Sequence, residues 1–185
     1  MLRFAVAIGA ICSVRALPYD DLNEDDPLSP EQTALIEKSD AFSQSKIAEA
    51  IRQGDVDLII NDHGYRPLHA TTVLGHTETV WELLVLGADA NARLTKGKDR
   101  ATPLHLAAEW GRVDIVRQLV RDGGAQIDAG SGSSSNETAL EIALIRGREH
   151  TAHALIDLGA RVDIISSSDW TPLATAAAVG AVDLV

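Results

Sequence analysis

The fold is decided by residues 102–120, which read TPLHLAAEWGRVDIVRQLV. Thr102 is a typical N-cap residue, and Pro103 suits the first position of a helix, where no backbone N–H is needed. Gly111 ends this first helix, and a second helix with an apolar face follows from Val113. Neither helix is long enough to be stable alone, so the pair needs neighbours on which to stack.

The same pattern recurs along the chain. The positions equivalent to the N-cap are spaced by 33, 36, 36 and 33 residues, and they are Thr33, Arg66, Thr102, Thr138 and Thr171. Glycine pairs 12 residues apart mark the short turn and the end of the second helix, at Gly75 and Gly87, Gly111 and Gly123, and Gly147 and Gly159. These spacings and the Thr-Pro-Leu-His sequence resemble the ankyrin repeat family. Over residues 33–185 the resemblance implies an all-α ankyrin repeat solenoid, with helix–turn–helix units joined by β-hairpin-like fingers.

Three segments are predicted. Residues 1–16 combine a basic start, an apolar run and small residues before a cleavage point after Ala16, which is typical of a secretory signal peptide; a mitochondrial presequence is the alternative. Residues 17–32 carry six carboxylates and no Lys or Arg, which predicts an acidic disordered linker. Residues 33–185 form the repeat domain, divided into units of about 33–65, 66–101, 102–137, 138–170 and 171–185, the last of them truncated.

Composition limits the classes of partner and chemistry. The net charge of −11 argues against nucleic acid as a partner, since phosphate contacts need a basic face. The single cysteine, Cys12, lies in the apolar leader, so the repeats can form no disulfide. Nothing after the leader is apolar for long enough to cross a membrane, and we expect a monomer without membrane insertion.

The histidines do not indicate a catalytic or metal site. His69 and His105 lie in the signature turn, where the imidazole is expected to bond backbone or the adjacent threonine. His150 and His153 share a helix face but lack the further ligands that zinc requires. No nucleophile elbow, phosphate loop or cysteine nucleophile is present. We therefore expect no enzyme activity, no cofactor and no metal.

The resemblance implies a concave face, built from finger tips and first helices, that binds another protein. Its positions in this chain are His63, Tyr65, Arg100, Glu109, Trp110, Arg146 and Trp170. Tyr, Trp and Arg are the residue types that carry interface energy, although Trp110 and Trp170 could instead pack between adjacent fingers. Trp81 is a separate candidate on the opposite face. Asn136-Glu137-Thr138 is a possible N-glycosylation sequon, meaningful if the protein enters the secretory pathway.

The sequence thus predicts a protein–protein interaction module without catalysis. Two alternatives remain. The first is the recognition portion of a longer enzyme or membrane protein truncated at the C-terminus, because the chain ends on apolar residues without a polar cap. The second is a secreted effector or inhibitor. Localisation is expected to be secretory if the leader is cleaved, and cytoplasmic otherwise.

Overall fold

The computed structural model describes residues 54–60, 64–95, 100–132, 136–164 and 171–179. The part from Val56 onward belongs to one compact unit, Val56–Val185. Of the other unit, Met1–Asp55, the structure describes residues 54 and 55. The predicted leader, the acidic linker and most of the first repeat unit therefore lie outside the described residues.

The described residues form seven helices and no strand, arranged as three helical pairs followed by one further helix. The helices are α1 (Pro67–Leu74) with α2 (Thr77–Val85), α3 (Pro103–Glu109) with α4 (Val113–Arg121), α5 (Ala139–Ile145) with α6 (Glu149–Asp157), and α7 (Pro172–Val179). This arrangement confirms the all-α ankyrin solenoid that the repeated N-cap and glycine positions predict.

The helices pack as two rows. In the first row α3 contacts α1 and α5, and α5 contacts α7; in the second row α4 contacts α2 and α6. Each helix also packs on the other member of its pair. Equivalent leucines fill the layers between the rows and are buried: Leu68, Leu104 and Leu140 in first helices, and Leu83, Leu119 and Leu155 in second helices. The stack therefore stabilises itself through contacts between neighbouring pairs, as in other repeat proteins.

The turns between the two helices of a pair depend on glycine. Gly75, Gly111 and Gly147 have φ values of 76°, 66° and 65°, in the left-handed region that other residues rarely adopt. After the second helix of the middle pair, the left-handed residue is Gly124 rather than Gly123, the one expected from the spacing. A methyl group added at Gly123 would lie 2.8 Å from the carbonyl oxygen of Leu119 in α4, which is too close for an ordinary contact. The extra glycine therefore shifts this turn by one residue.

A backbone hydrogen bond joins the two sides of each of three fingers in the described residues. The N–H groups of Ile60, Leu94 and Ser131 donate to the carbonyl oxygens of Tyr65, Ala101 and Glu137 at 2.8, 3.1 and 2.8 Å. These bonds bring the two sides of a finger together, so the fingers are hairpin-like, although the described residues include no strand.

Candidate partner-binding surface

The two signature histidines fasten each first helix to the finger that follows its pair. Nε2 of His69 lies 3.0 Å from the carbonyl oxygen of Ala92, and Nε2 of His105 lies 2.9 Å from that of Ala129. Nδ1 of each ring accepts the backbone N–H three residues earlier, at 3.3 and 3.2 Å. Because a carbonyl oxygen only accepts and a backbone N–H only donates, both rings are neutral with the proton on Nε2. The predicted backbone-bonding role is confirmed.

Burial keeps these rings uncharged. Loss of solvent lowers the pKa of His69 and of His105 to about 4, although the carbonyl groups of Ala92 and Ala129 act in the opposite direction. Both side chains are buried in the stack. A neutral, fully bonded imidazole in the core is a structural group, and it offers no surface to a substrate or partner.

Glu141 replaces the signature histidine in the next pair. Like the histidines, it accepts the backbone N–H of the residue three positions earlier. Oε2 of Glu141 accepts the backbone N–H of Thr138 at 2.9 Å and its hydroxyl at 3.2 Å. Oγ1 of Thr138 in turn accepts the N–H of Glu141 at 3.3 Å. This reciprocal capping box provides acceptors for two backbone N–H groups at the start of α5. The carboxylate is 1% exposed and belongs to the framework.

Three of the predicted interface residues lie together at the C-terminal ends of α3 and α5. We call this set, Glu109, Trp110 and Arg146, the helix-end row. Trp110 and Arg146 occupy equivalent C-cap positions in adjacent pairs. Nη2 of Arg146 lies 2.7 Å from Oε1 of Glu109, so an ion pair connects the two repeats. The Arg146 and Glu109 side chains keep 39% and 27% of their surface exposed.

Trp110 is half-buried in this row. Its Nε1 atom is buried, and no hydrogen-bond acceptor for it is found among the described residues. The indole therefore lies partly in the stack and partly at its surface. Packing between adjacent fingers and a place on a partner-binding surface, the two alternatives for Trp110, both stay predictions.

A pair of arginines behind this row was missed by the sequence reasoning. Nη2 of Arg112 donates to the carbonyl oxygen of Val73 at 3.2 Å, and Nε of Arg148 donates to that of Glu109 at 3.3 Å. Each arginine thus reaches back one repeat to the carbonyl end of the preceding first helix, where a cation is favoured. The sequence feature that marks these arginines is a Gly-Arg dipeptide that recurs after 36 residues, as Gly111-Arg112 and Gly147-Arg148.

The other predicted interface residues do not join the helix-end row. Tyr65 is 2% exposed and packs edge-on to the His69 ring at 5.8 Å between centroids, so its predicted place on a binding surface is wrong: it is a core residue. Arg100 is exposed and precedes the start of α3, whereas the helix-end row lies at the other end of this helix. The seven residues of α3 span about 10 Å, which separates Arg100 from the row. His63 and Trp170 lie outside the described residues.

The predicted glycosylation sequon lies at the start of α5. Asn136 is exposed with a φ of 49°, and its Oδ1 accepts the N–H of Gly132 at 3.2 Å. The sequon threonine, Thr138, is buried as the helix N-cap. In the folded chain the hydroxyl that the sequon requires is therefore engaged inside the capping box, and glycosylation of Asn136 stays a prediction.

The two histidines of α6 lie at the surface. His150 and His153 are exposed on α6. Among the residues that the structure describes, no three histidine, cysteine or acidic side chains come together in a way that could hold a metal ion. None of the described helices has both the length and the apolar character needed to span a membrane.

Comparison with known proteins agrees with this geometry. A family model of ankyrin repeats in three copies matches residues 42–131. A transient receptor potential cation channel subfamily A member 1 homolog of Caenorhabditis elegans is 31% identical over 144 residues, which are 77% of this chain and 11% of the channel. The NF-kappa-B inhibitor cactus of Drosophila melanogaster is 29% identical over 72% of this chain and 26% of its own length.

The glycerophosphocholine phosphodiesterase gde1 of Schizosaccharomyces pombe is 36% identical over 55% of this chain and 10% of the enzyme. The chain thus spans about a tenth to a quarter of the length of these relatives. The stacked helical pairs and the matched residues together show that this chain belongs to the ankyrin repeat family.

Proposed function

We propose that the protein binds another protein through the concave face of its ankyrin stack, with the helix-end row as the central contact. Ankyrin repeats generally mediate protein–protein interaction, and this supports the class of function. The observation that carries the proposal is the ion pair between Arg146 and Glu109, partly exposed beside Trp110 and joining two repeats. A pre-organised arginine next to a half-buried tryptophan is the combination that dominates interface energies.

The proposal includes no catalysis by the described residues. The neutral His69 and His105 rings are fully engaged with backbone groups, and Glu141 is engaged in a cap. Polar groups with these positions hold the repeats together and lack access to a substrate. The activity we propose for this chain is therefore recognition alone, with no bound cofactor.

The relatives support two settings in which such recognition would operate. A channel and a phosphodiesterase carry similar repeats within much longer chains, which favours a role as the recognition portion of a larger protein. A protein described as an inhibitor carries them as well, which favours an inhibitory role.

For localisation we propose the secretory pathway. The intact mass of the protein from its natural source tests this proposal. A mass lacking residues 1–16 supports it, and a mass retaining them contradicts it.

The binding proposal is tested by affinity purification with quantitative mass spectrometry. The variants Arg146→Ala and Trp110→Ala are compared with His153→Ala, which changes an exposed side chain on the second-helix row. We expect the first two to lose about ten-fold or more of a partner that the control retains, since hot-spot truncation costs about 2 kcal/mol. Circular dichroism must show equal helicity in all variants. Equal recovery of every associated protein by the three variants would contradict the proposal.

A further inference from the structure

Helix α2 departs from the other second helices on its outer face. Trp81 and Val85 are 51% and 65% exposed, and Leu86 at the end of the helix is 50% exposed. The residues equivalent to Trp81 and Val85 are Arg117 and Arg121 in α4, and His153 and Asp157 in α6, all of them exposed. The fold therefore accepts charged or polar side chains at these positions, and packing inside the stack does not require the apolar pair of α2.

The apolar pair is accompanied by negative charge. Glu78 and Glu82 lie on the same helix, which carries no Lys or Arg. An open cleft of about 340 Å³ lies between α2 and α4, and its lining residues are Thr77, Glu78, Trp81, Glu82 and Gln118. Oε1 of Gln118 is buried, with no donor for it among the described residues. The cleft thus combines an aromatic side chain with groups that accept hydrogen bonds.

A cation with N–H donors is the chemistry that fits this cleft. Arginine and lysine side chains bind carboxylates through charge-assisted hydrogen bonds and are attracted to the face of an indole. Within the chain, the nearby Arg117 lies 3.8 Å from Asp114 of its own helix. The carboxylates of Glu78 and Glu82 form no ion pair with another described residue.

We propose that the outer face of α2 docks a basic amphipathic segment of a partner protein. The apolar side of that segment covers Trp81 and Val85, and an Arg or Lys side chain enters the cleft beside Glu78 and Glu82. Amphipathic segments bind helix surfaces in this way through side chains at helical spacing. A second copy of this chain fits less well, because a two-fold contact between α2 helices would bring four carboxylates and no Lys or Arg of α2 into one interface.

The test uses a synthetic amphipathic peptide of leucine and arginine, about 15 residues long so that it can form a helix. The affinity for the wild-type chain and for each variant is measured by isothermal titration calorimetry. In the wild-type chain the contact is also followed through the indole Nε1–H signal of Trp81 in NMR spectra, assigned with the variant Trp81→Phe. We expect a saturable shift of this signal. A matched peptide with citrulline in place of arginine keeps the shape and loses the charge, and we expect it to bind about ten-fold more weakly.

Two pairs of variants locate the contact. Trp81→Arg with Val85→Arg installs the residues that α4 carries at the equivalent positions, and we expect about ten-fold weaker binding. Glu78→Gln with Glu82→Gln is expected to have a similar effect. Its control is Glu149→Gln with Asp157→Asn, which removes the same charge from the exposed face of α6, and we expect a change below about two-fold because the screened field is weak at a distance.

Several results would overturn the proposal. Equal affinity for the arginine and citrulline peptides would show that a positive charge is not needed for binding to α2. Equal weakening by the two charge-removing pairs would show general attraction to an acidic protein instead of a site on α2. A dimer of the wild-type chain in sedimentation that is lost in the Trp81→Arg/Val85→Arg variant would make a second copy the occupant of this face.

Discussion

The imidazole of His105 lies in the core between the start of its own helix and the finger that follows the pair, and His69 repeats the arrangement one unit earlier. Because each ring is neutral in the folded protein, with a pKa of about 4 against an ordinary value of 6.5, the unfolded chain binds more protons between these two values. The free energy of unfolding must therefore fall as the pH is lowered through this window.

The prediction at this scale concerns the pH dependence of stability. Between pH 7 and pH 5 we expect each buried histidine to contribute a loss of about 2 kcal/mol in the free energy of unfolding. The variant His105→Gln should be less stable at pH 7 and should lose about half of this pH-dependent change. Urea denaturation at both pH values measures it, with His153→Gln as an exposed control. A pH-dependent change of unaltered size in His105→Gln would contradict the role given to the ring.

At the scale of helices, the sequence predicted what depends on local chemistry. The expected N-cap positions Arg66, Thr102 and Thr138 each precede a first helix, because capping and a proline at the first position act within a few residues. The predicted surface position of Tyr65 was wrong, because burial of that ring is decided by neighbours brought together in the fold. The extra glycine after α4 was visible, but which of Gly123 and Gly124 adopts the left-handed conformation depends on packing against α4.

The prediction at the scale of helices concerns Arg112, one of the two arginines that connect adjacent repeats. Arg112 contacts a carbonyl 39 residues away, and the recurring Gly-Arg dipeptide marks the position of the arginine without indicating this partner. Its loss leaves the C-terminal end of α1 without this donor, so we expect Arg112→Ala to lower the free energy of unfolding by about 1–2 kcal/mol. Arg117→Ala removes an exposed ion pair within α4 and should cost below about 0.5 kcal/mol. Equal urea midpoints for these two variants would contradict the bridging role.

Over the whole molecule, the two rows of helices present different surfaces. The helix-end row stands at the ends of first helices, whereas Trp81 and Val85 lie on the second helix of an earlier pair. Helices in a stack contact only their neighbours, so a change on the outer face of α2 should leave the ends of α3 and α5 undisturbed. We therefore expect the Trp81→Arg/Val85→Arg variant to keep the partner that Arg146→Ala loses, as quantified in the same affinity purification.

The central claim is that the helix-end row contacts a protein partner, and site-specific photo-crosslinking tests it most directly. A photoreactive amino acid is placed at position 145, which is exposed beside Arg146 and leaves the row intact, and in a separate protein at position 153, exposed on the second-helix row. The account predicts that the partner recovered by affinity purification crosslinks from position 145 and does not crosslink from position 153. Crosslinking from position 153 with none from position 145 would contradict it.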